Sequence, residues 1–302
     1  MATDAARVAR GPILPVARIR EALVGYAFVL VPMGFFILFF IYPIGYAIYI
    51  SRYDWGVLGK LDNVGWANYT ALWHDDLFRR AVENTLVYTA GVVPAQMALG
   101  LLLALAVNQA IRGRGFFRSA YYFPAIASSA AITAIFIYLL SADGLVNSVI
   151  GGHRAWFADP ATALYSVMGL NAWTTSATVM LFYLAALQSI PTDVYEAAAI
   201  DGAKRWRTFW KVTFPLLKPG HFFVAVVSVI GCLKVFDQNY IVSHGTGGPE
   251  YSTLSVVLYL YQTAFQNIKF GYAAAMGIAL FAIIFTLTLL QRLLFGKAEV
   301  GY

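Results

Sequence analysis

The chain has 302 residues, of which 60% are hydrophobic and only 12% charged, and its mean hydropathy is +0.67. Soluble globular chains carry about 25% charge. The polar surface left here is too small to keep a folded chain dispersed in water, which excludes a disordered protein, a nucleic-acid-binding domain and an ordinary cytosolic enzyme. A polytopic membrane protein remains. The single cysteine, Cys232, lies in an apolar stretch, so a disulfide framework, a thiolate zinc site and an iron–sulfur cluster are excluded too.

A bilayer core of ~30 Å needs about 20 apolar residues as helix. Six stretches qualify, at residues 23–50, 86–107, 120–140, 164–187, 222–242 and 272–294. In lipid the backbone is satisfied only by helices or closed barrels, so an all-α, six-span fold is expected. The first stretch is too long for a secretory signal, and no small-residue cleavage site follows it, so it reads as a retained span. Residues 1–20 form an N-terminal tail, and 21–302 the transmembrane domain, with core spans over 82–296.

Lys and Arg divide unevenly between the two sides. Of the 21, 14 fall in the tail, the second-to-third and fourth-to-fifth loops and the C-terminus. Six fall in the other loops, and Lys234 lies inside a span. The cationic side is expected to be cytoplasmic, with both termini inside. The net charge of +6 is therefore a topology signal and does not imply nucleic acid. The outer loops, 51–80, 141–163 and 243–269, carry Trp55, Trp66, Tyr69, Trp73, Trp156 and Tyr251. These fit an interfacial aromatic belt or a docking surface for an external partner.

No G-x-x-x-x-G-K-[ST] phosphate loop and no G-x-S-x-G elbow occur, and His74, His153, His221 and His244 make no ligand pair. Neither a catalytic nor a metal site is expected. Small residues four apart, such as Gly100 with Ala104, Ala125 with Ser129 and Ala273 with Gly277, let helices approach closely.

The fourth-to-fifth loop, 190–219, has more local structure than a connector needs. Thr192 or Asp193 can cap a helix, alanines fill 197, 198 and 199, and Gly202 is placed to end it. A second short helix is expected from Arg205 to Thr213, running to Pro215. Spacing alone allows either an interfacial helix or a docking helix whose alanine ridge enters a partner's groove, with Glu196 and Asp201 at its edges.

Glu196-Ala-Ala-Ala-Ile-Asp201-Gly202, with Phe214-Pro-Leu-Leu downstream, resembles the EAA loop of ATP-binding-cassette importer permeases; Phe-Pro in place of Leu-Pro is a minor departure. Gly65-Trp-Ala-Asn-Tyr69, Glu83-Asn84-Thr85, Lys234-Val-Phe-Asp237 and Gly247-Gly-Pro249 are similar, in order, to segments of the carbohydrate-uptake branch. The resemblance runs from the first span to Leu294 and is strongest to the first permease of maltose- and glycerol-3-phosphate-type importers. It implies a MetI-like permease fold in a bacterial or archaeal plasma membrane. It also implies a second homologous permease subunit, two copies of a cytoplasmic ATPase and an extracytoplasmic solute-binding protein. ATP and Mg would be held by the ATPases, so no cofactor is expected in this chain. Coupling to the ATPase would fall to Glu196, Ala197, Ala198, Asp201 and Gly202.

Polar groups inside spans are costly unless they face a path or a partner. The resemblance places Ser129, Thr174, Thr175, Thr178, Lys234 and Asp237 at or near sugar-facing positions. Hydroxyls, a charged pair and the neighbouring Trp173 suit a polyol. Two other readings stay open. Lys234 and Asp237, three apart on a helix, can form a structural bridge, and serine and threonine can bond their own helix backbone. A self-sufficient carrier is disfavoured by the EAA loop and by the lack of a visible inverted repeat; a scaffold without transport is a third reading, and co-purification of an ATPase would separate both from an importer permease.

Overall fold

The computed structural model describes residues 15–109 and 114–295. Among them five helices are long and apolar enough to cross a membrane, and a sixth span is made by two helices that meet at 96°. The expected helical, multi-span architecture is found. A two-stranded hairpin, Tyr53–Gly56 with Gly59–Asn63, is a small addition that hydropathy could not announce.

The first span comprises Pro15–Phe36, a π turn at Ile37–Ile41, and Tyr42–Ile50. The Tyr42 N–H bonds back to the Ile37 carbonyl, one residue before Pro43. Proline has no N–H and its ring crowds the carbonyl four residues back, and a widened turn relieves both problems. The same device recurs at Phe209–Thr213, where Phe214 N–H reaches the Phe209 carbonyl just before Pro215.

The apolar window of this span is 0% buried against the rest of the chain. The span is held at its C-terminal end. There Ser51 is fully buried, its hydroxyl 2.7 Å from Tyr69 Oη, while Asn68 Nδ2 donates to the Ser51 and Tyr53 carbonyls at 2.8 and 3.2 Å. Gly65 supplies the φ of +57° that turns the chain into the helix Ala67–His74. The segment 65–69 is thus a clasp that sets where the first span leaves the bundle.

The second span, Asp76–Asn108, starts well before the apolar stretch that betrays it. Asp75 is its cap. One carboxylate oxygen accepts from Leu77 and Phe78 N–H at 2.9 and 3.1 Å. The other accepts from Tyr259 and Tyr272 hydroxyls at 2.8 and 2.7 Å. Burial pushes the Asp75 carboxyl up, but these four donors outweigh it and hold it below the ordinary carboxylate range.

The segment 243–269, expected as an outer loop, is instead largely packed into the bundle. Thr253, Leu254, Ser255, Val256 and Leu258 are at most 1% exposed, and helix Val256–Tyr261 lies against the second and sixth spans. Buried backbone must find partners, and the second span supplies them. Asn84 Nδ2 donates to the Tyr251 and Leu254 carbonyls at 2.8 and 3.1 Å, and Val256 N–H donates to Thr85 Oγ1 at 3.1 Å. Asn84→Ala should therefore lower the thermal midpoint of the purified protein in detergent, because unpairing buried carbonyls costs about 1–3 kcal/mol each. Asn84→Asp, which cannot donate, should do the same; an unchanged midpoint for both would show that the contact carries no stability.

The fourth span, Ala163–Gln188, packs closely on the second. A Cβ on Gly100 would lie 2.4 Å from Val179 Cγ1, so the close approach requires glycine there. The tryptophans of the loops expected outside divide. Trp156 Nε1 donates to Asn147 Oδ1 at 3.1 Å and Trp55 sits edge-on to Tyr46, whereas Trp66 and Trp73 remain exposed.

Candidate functional site

Two spans expected as straight helices are broken. The third consists of Arg114–Ile126 and Ser129–Leu139, with Ser128 between them at φ −57°, ψ 129°. Pro124 weakens the helix one turn before the break. The fifth consists of Lys218–Leu233 and Asp237–Val242, and the backbone leaves the helix at Lys234 and Phe236. Non-helical backbone at membrane depth is tolerated where it is buried in protein or lines a water-filled cavity. Both breaks open onto cavities. The freed Val235 carbonyl is met by the Ser255 hydroxyl at 2.8 Å.

A cavity of about 200 Å³ is lined by Ser129, Thr174, Thr175 and Thr178, together with Pro124 and Gln238. A second, of about 240 Å³, is lined by Ser129, Asn171, Lys234, Phe236, Asp237 and Gln238. Ser129 and Gln238 belong to both. The six path residues named from the sequence therefore surround one pair of adjoining cavities, contributed by the third, fourth and fifth spans.

Their hydrogen bonding separates them. Thr174 donates to the Asn171 carbonyl at 3.0 Å. Thr175 donates to the same carbonyl at 2.7 Å and also contacts Gln96 Oε1. Both hydroxyls therefore bond their own helix backbone, as threonines commonly do, and each also meets an amide from a neighbouring span, Gln238 Nε2 donating to Thr174 Oγ1 at 3.5 Å and Gln96 accepting from Thr175. Among the described residues, Ser129 Oγ, Thr178 Oγ1, the Lys234 ammonium and the Asp237 carboxylate form no hydrogen bond. The bridge left open as an alternative is not formed: the ion pairs among the described residues join Arg79 to Asp76, His153 to Asp143 and Arg154 to Asp159. Unwinding at 234–236 removes the shared helix face that a spacing of three would give, and both side chains are exposed.

Three polar residues missing from the expected set complete the site. Asn171 Nδ2 donates to Gln238 Oε1 at 2.7 Å, linking the fourth span to the C-terminal half of the fifth. Gln96 reaches the same region from the second span and is 2% exposed. Amides inside apolar spans were the available signal. Trp173 does not line either cavity; its ring packs on Phe136, centroids 5.5 Å apart. Phe236 is the aromatic residue at the second cavity.

At the far end of the fourth span, the loop forms helix Thr192–Ile200. Its cap position is Pro191, without a side-chain bond, so Thr192 and Asp193 lie inside the first turn and do not cap it. Gly202, at φ +70°, ends the helix. Its N–H bonds to the Ala199 carbonyl and the Ala203 N–H to the Ala198 carbonyl, both at 3.0 Å, a left-handed C-terminal closure that favours glycine. Glu196, Ala197, Asp201 and Gly202 are exposed. Ala198 is not: at 9% exposure it packs inside its own chain, so it supports the helix and is not free to meet a partner. The second helical run continues past Pro215, from Arg205–Thr208 through the π turn to Phe214–Leu216. It is anchored by buried Leu217 in a cluster with Val179, Tyr183, Leu187 and Val224. That cluster joins the loop to the cavity-bearing part of the fourth span.

A helical membrane chain with two broken spans around a polar gap, an exposed loop helix and no nucleotide motif has the build of a transport subunit. Residues 96–299 match the family described as binding-protein-dependent transport system inner membrane component, and the chain belongs to that family. The lactose transport permease LacF of Rhizobium radiobacter is 35% identical over 88% of this chain and 92% of its own length. The multiple-sugar permease MsmF of Streptococcus mutans is 34% identical over 91% and 96%. The sn-glycerol-3-phosphate permease UgpA of Agrobacterium fabrum is 31% identical over 84% and 88%. In fold, the chain is similar to a subunit of a bacterial alginate ABC transporter solved with an alginate-bound periplasmic protein. The TM-score is 0.77 at 22% identity, covering 91% of this chain and 94% of that one.

Proposed function

We propose that this chain is one of two permease subunits of an ATP-driven importer for a sugar or sugar-like solute, delivered by an extracytoplasmic binding protein. The observation that carries the reading is the polar gap where the broken third and fifth spans meet the fourth, lined by unengaged Ser129, Thr178, Lys234 and Asp237. Free hydroxyls and charges in a wet gap suit a polyhydroxyl solute. Two cytoplasmic ATPases, which bind ATP and Mg, grip the exposed helix Thr192–Ile200, and their closure rocks the bundle between inward- and outward-open states. A first span that buries none of its apolar window on its own bundle supports a second permease subunit as neighbour. The unpaired Lys234 also favours a narrower reading, a glycerol phosphate or glycerophosphodiester, whose charge it would meet.

Co-expression with a partner permease, an ATPase and a binding protein should yield a complex whose vesicles take up the binding protein's ligand only with ATP. Uptake by the chain alone, without nucleotide, would overturn the reading. Competition by a sugar against glycerol phosphate at equal concentration separates the two substrate readings. The loop side should be cytoplasmic. In a Cys232→Ser background, Thr246→Cys should react with an impermeant thiol reagent from outside in intact cells, and Arg205→Cys should not. The reverse labelling would invert the topology.

A further inference from the structure

We propose that the helical run 205–216 is a binding surface for anionic phospholipid, lodged in the headgroup layer beside the exposed loop helix. The run is two-faced. Thr208, Phe209, Val212 and Thr213 turn inward, while Trp206, Trp210 and Phe214, spaced by four, turn outward. The outward rings touch in series, with centroids 5.8 and 5.1 Å apart, and remain 74%, 47% and 38% exposed. Large aromatics on one face of a short helix lie at the boundary between headgroups and acyl chains.

The row is also continuous with membrane-facing surface. The Phe214 ring lies 4.6 Å from that of His221 at the start of the fifth span, and that span goes on to expose Phe223 and Val227. The electrostatics select the lipid. Lys204, Arg205, Arg207, Lys211 and Lys218 are all exposed, and no Asp or Glu occurs between Asp201 and Asp237. Among the described residues none of the five forms an ion pair. A zwitterionic surface would accommodate the rings but leave five cations uncompensated; an anionic one satisfies both. Each cation held near an anionic surface raises binding by about five-fold. Because the run is one short turn from Gly202, the lipid would also hold the exposed loop helix at a fixed height over the membrane.

The test is tryptophan quenching of the purified full chain in nanodiscs. These contain either acyl-brominated phosphatidylglycerol or acyl-brominated phosphatidylcholine at equal mole fraction. Emission should be quenched at least about two-fold more strongly by the anionic lipid, and the preference should shrink at high salt. Trp206→Phe with Trp210→Phe should remove the preferential component. Lys204→Gln, Arg205→Gln, Arg207→Gln and Lys211→Gln together should equalise the two lipids. Equal quenching of the unmodified chain by both lipids would overturn the proposal, as would a preference that survives the fourfold replacement or is indifferent to salt. No quenching of the two tryptophans by either lipid would assign the row to a protein partner and overturn it too. The salt arm needs no variant, so the proposal stays testable if a replacement fails to insert. Its failure leaves the transport reading untouched, since neither lipid identity nor these cations enter the solute path.

Discussion

Replacing Gly202 with leucine should leave the chain folded and inserted while cutting ATP-driven uptake by about ten-fold or more, the scale of an overpacked contact costing 1–3 kcal/mol. Nothing lies within 4 Å of a Cβ built on Gly202, so a side chain meets no part of its own chain. Within the fold the only cost is the left-handed backbone, φ +70°, roughly 1 kcal/mol for an ordinary residue. In the complex the same side chain would stand between the end of helix Thr192–Ile200 and the ATPase. Asn, which enters the left-handed region more readily than other residues, separates the two effects. If strain at the helix end were the cause, Gly202→Asn would restore uptake; if bulk at the docked surface is the cause, it would remain impaired. Normal ATPase association and uptake in the leucine variant would remove this loop from the coupling path. The readouts are ATPase co-purification and uptake, scored against insertion.

The parts of the fold that were legible from the sequence are those set by local chemistry. Hydropathy marks the spans, because lipid admits little else, and Gly202 marks the helix end, because few other residues sit comfortably at its φ. What escaped depends on distant partners. A hydropathy window sees 222–242 as one apolar run, yet the backbone unwinds at 234–236, helped by the Ser255 hydroxyl that takes the Val235 carbonyl. The packed segment at 253–258 reads as loop because Asn84 and Thr85, about 170 residues earlier, supply its hydrogen bonds. At the site, the six residues named from the sequence line one pair of adjoining cavities, but the pairing rule that would join Lys234 to Asp237 presupposes an unbroken helix. Gln238 and Asn171 were overshadowed by these charges, although amides inside apolar spans are an equally strong signal of a polar gap. Ala198 shows the converse limit: a run of three alanines cannot say which one faces inward.

The break at 234–236 changes what mutation of the charged residues should do. A buried bridge would make either single replacement strand a charge, at about 3–5 kcal/mol, and the double replacement would recover much of it. No bridge is formed, and both side chains face the second cavity. Lys234→Met and Asp237→Asn should therefore each shift stability by no more than about 0.5 kcal/mol, as surface changes do, with thermal midpoints of the purified complex close to that of the unmodified one. Transport should respond differently. Asp237→Asn keeps the side chain's shape but replaces two acceptor oxygens with one acceptor and one donor group, so uptake should fall while assembly holds. Lys234→Met should weaken uptake of an anionic solute far more than that of a neutral sugar, which turns one variant into a reading of substrate charge. The double variant Lys234→Met with Asp237→Leu should assemble and fail to transport. A large midpoint loss in the single variants that the double variant repairs would restore the structural bridge. An assembled double variant transporting at the normal rate would remove both residues from the path and leave Ser129, Thr178 and Gln238 to line it.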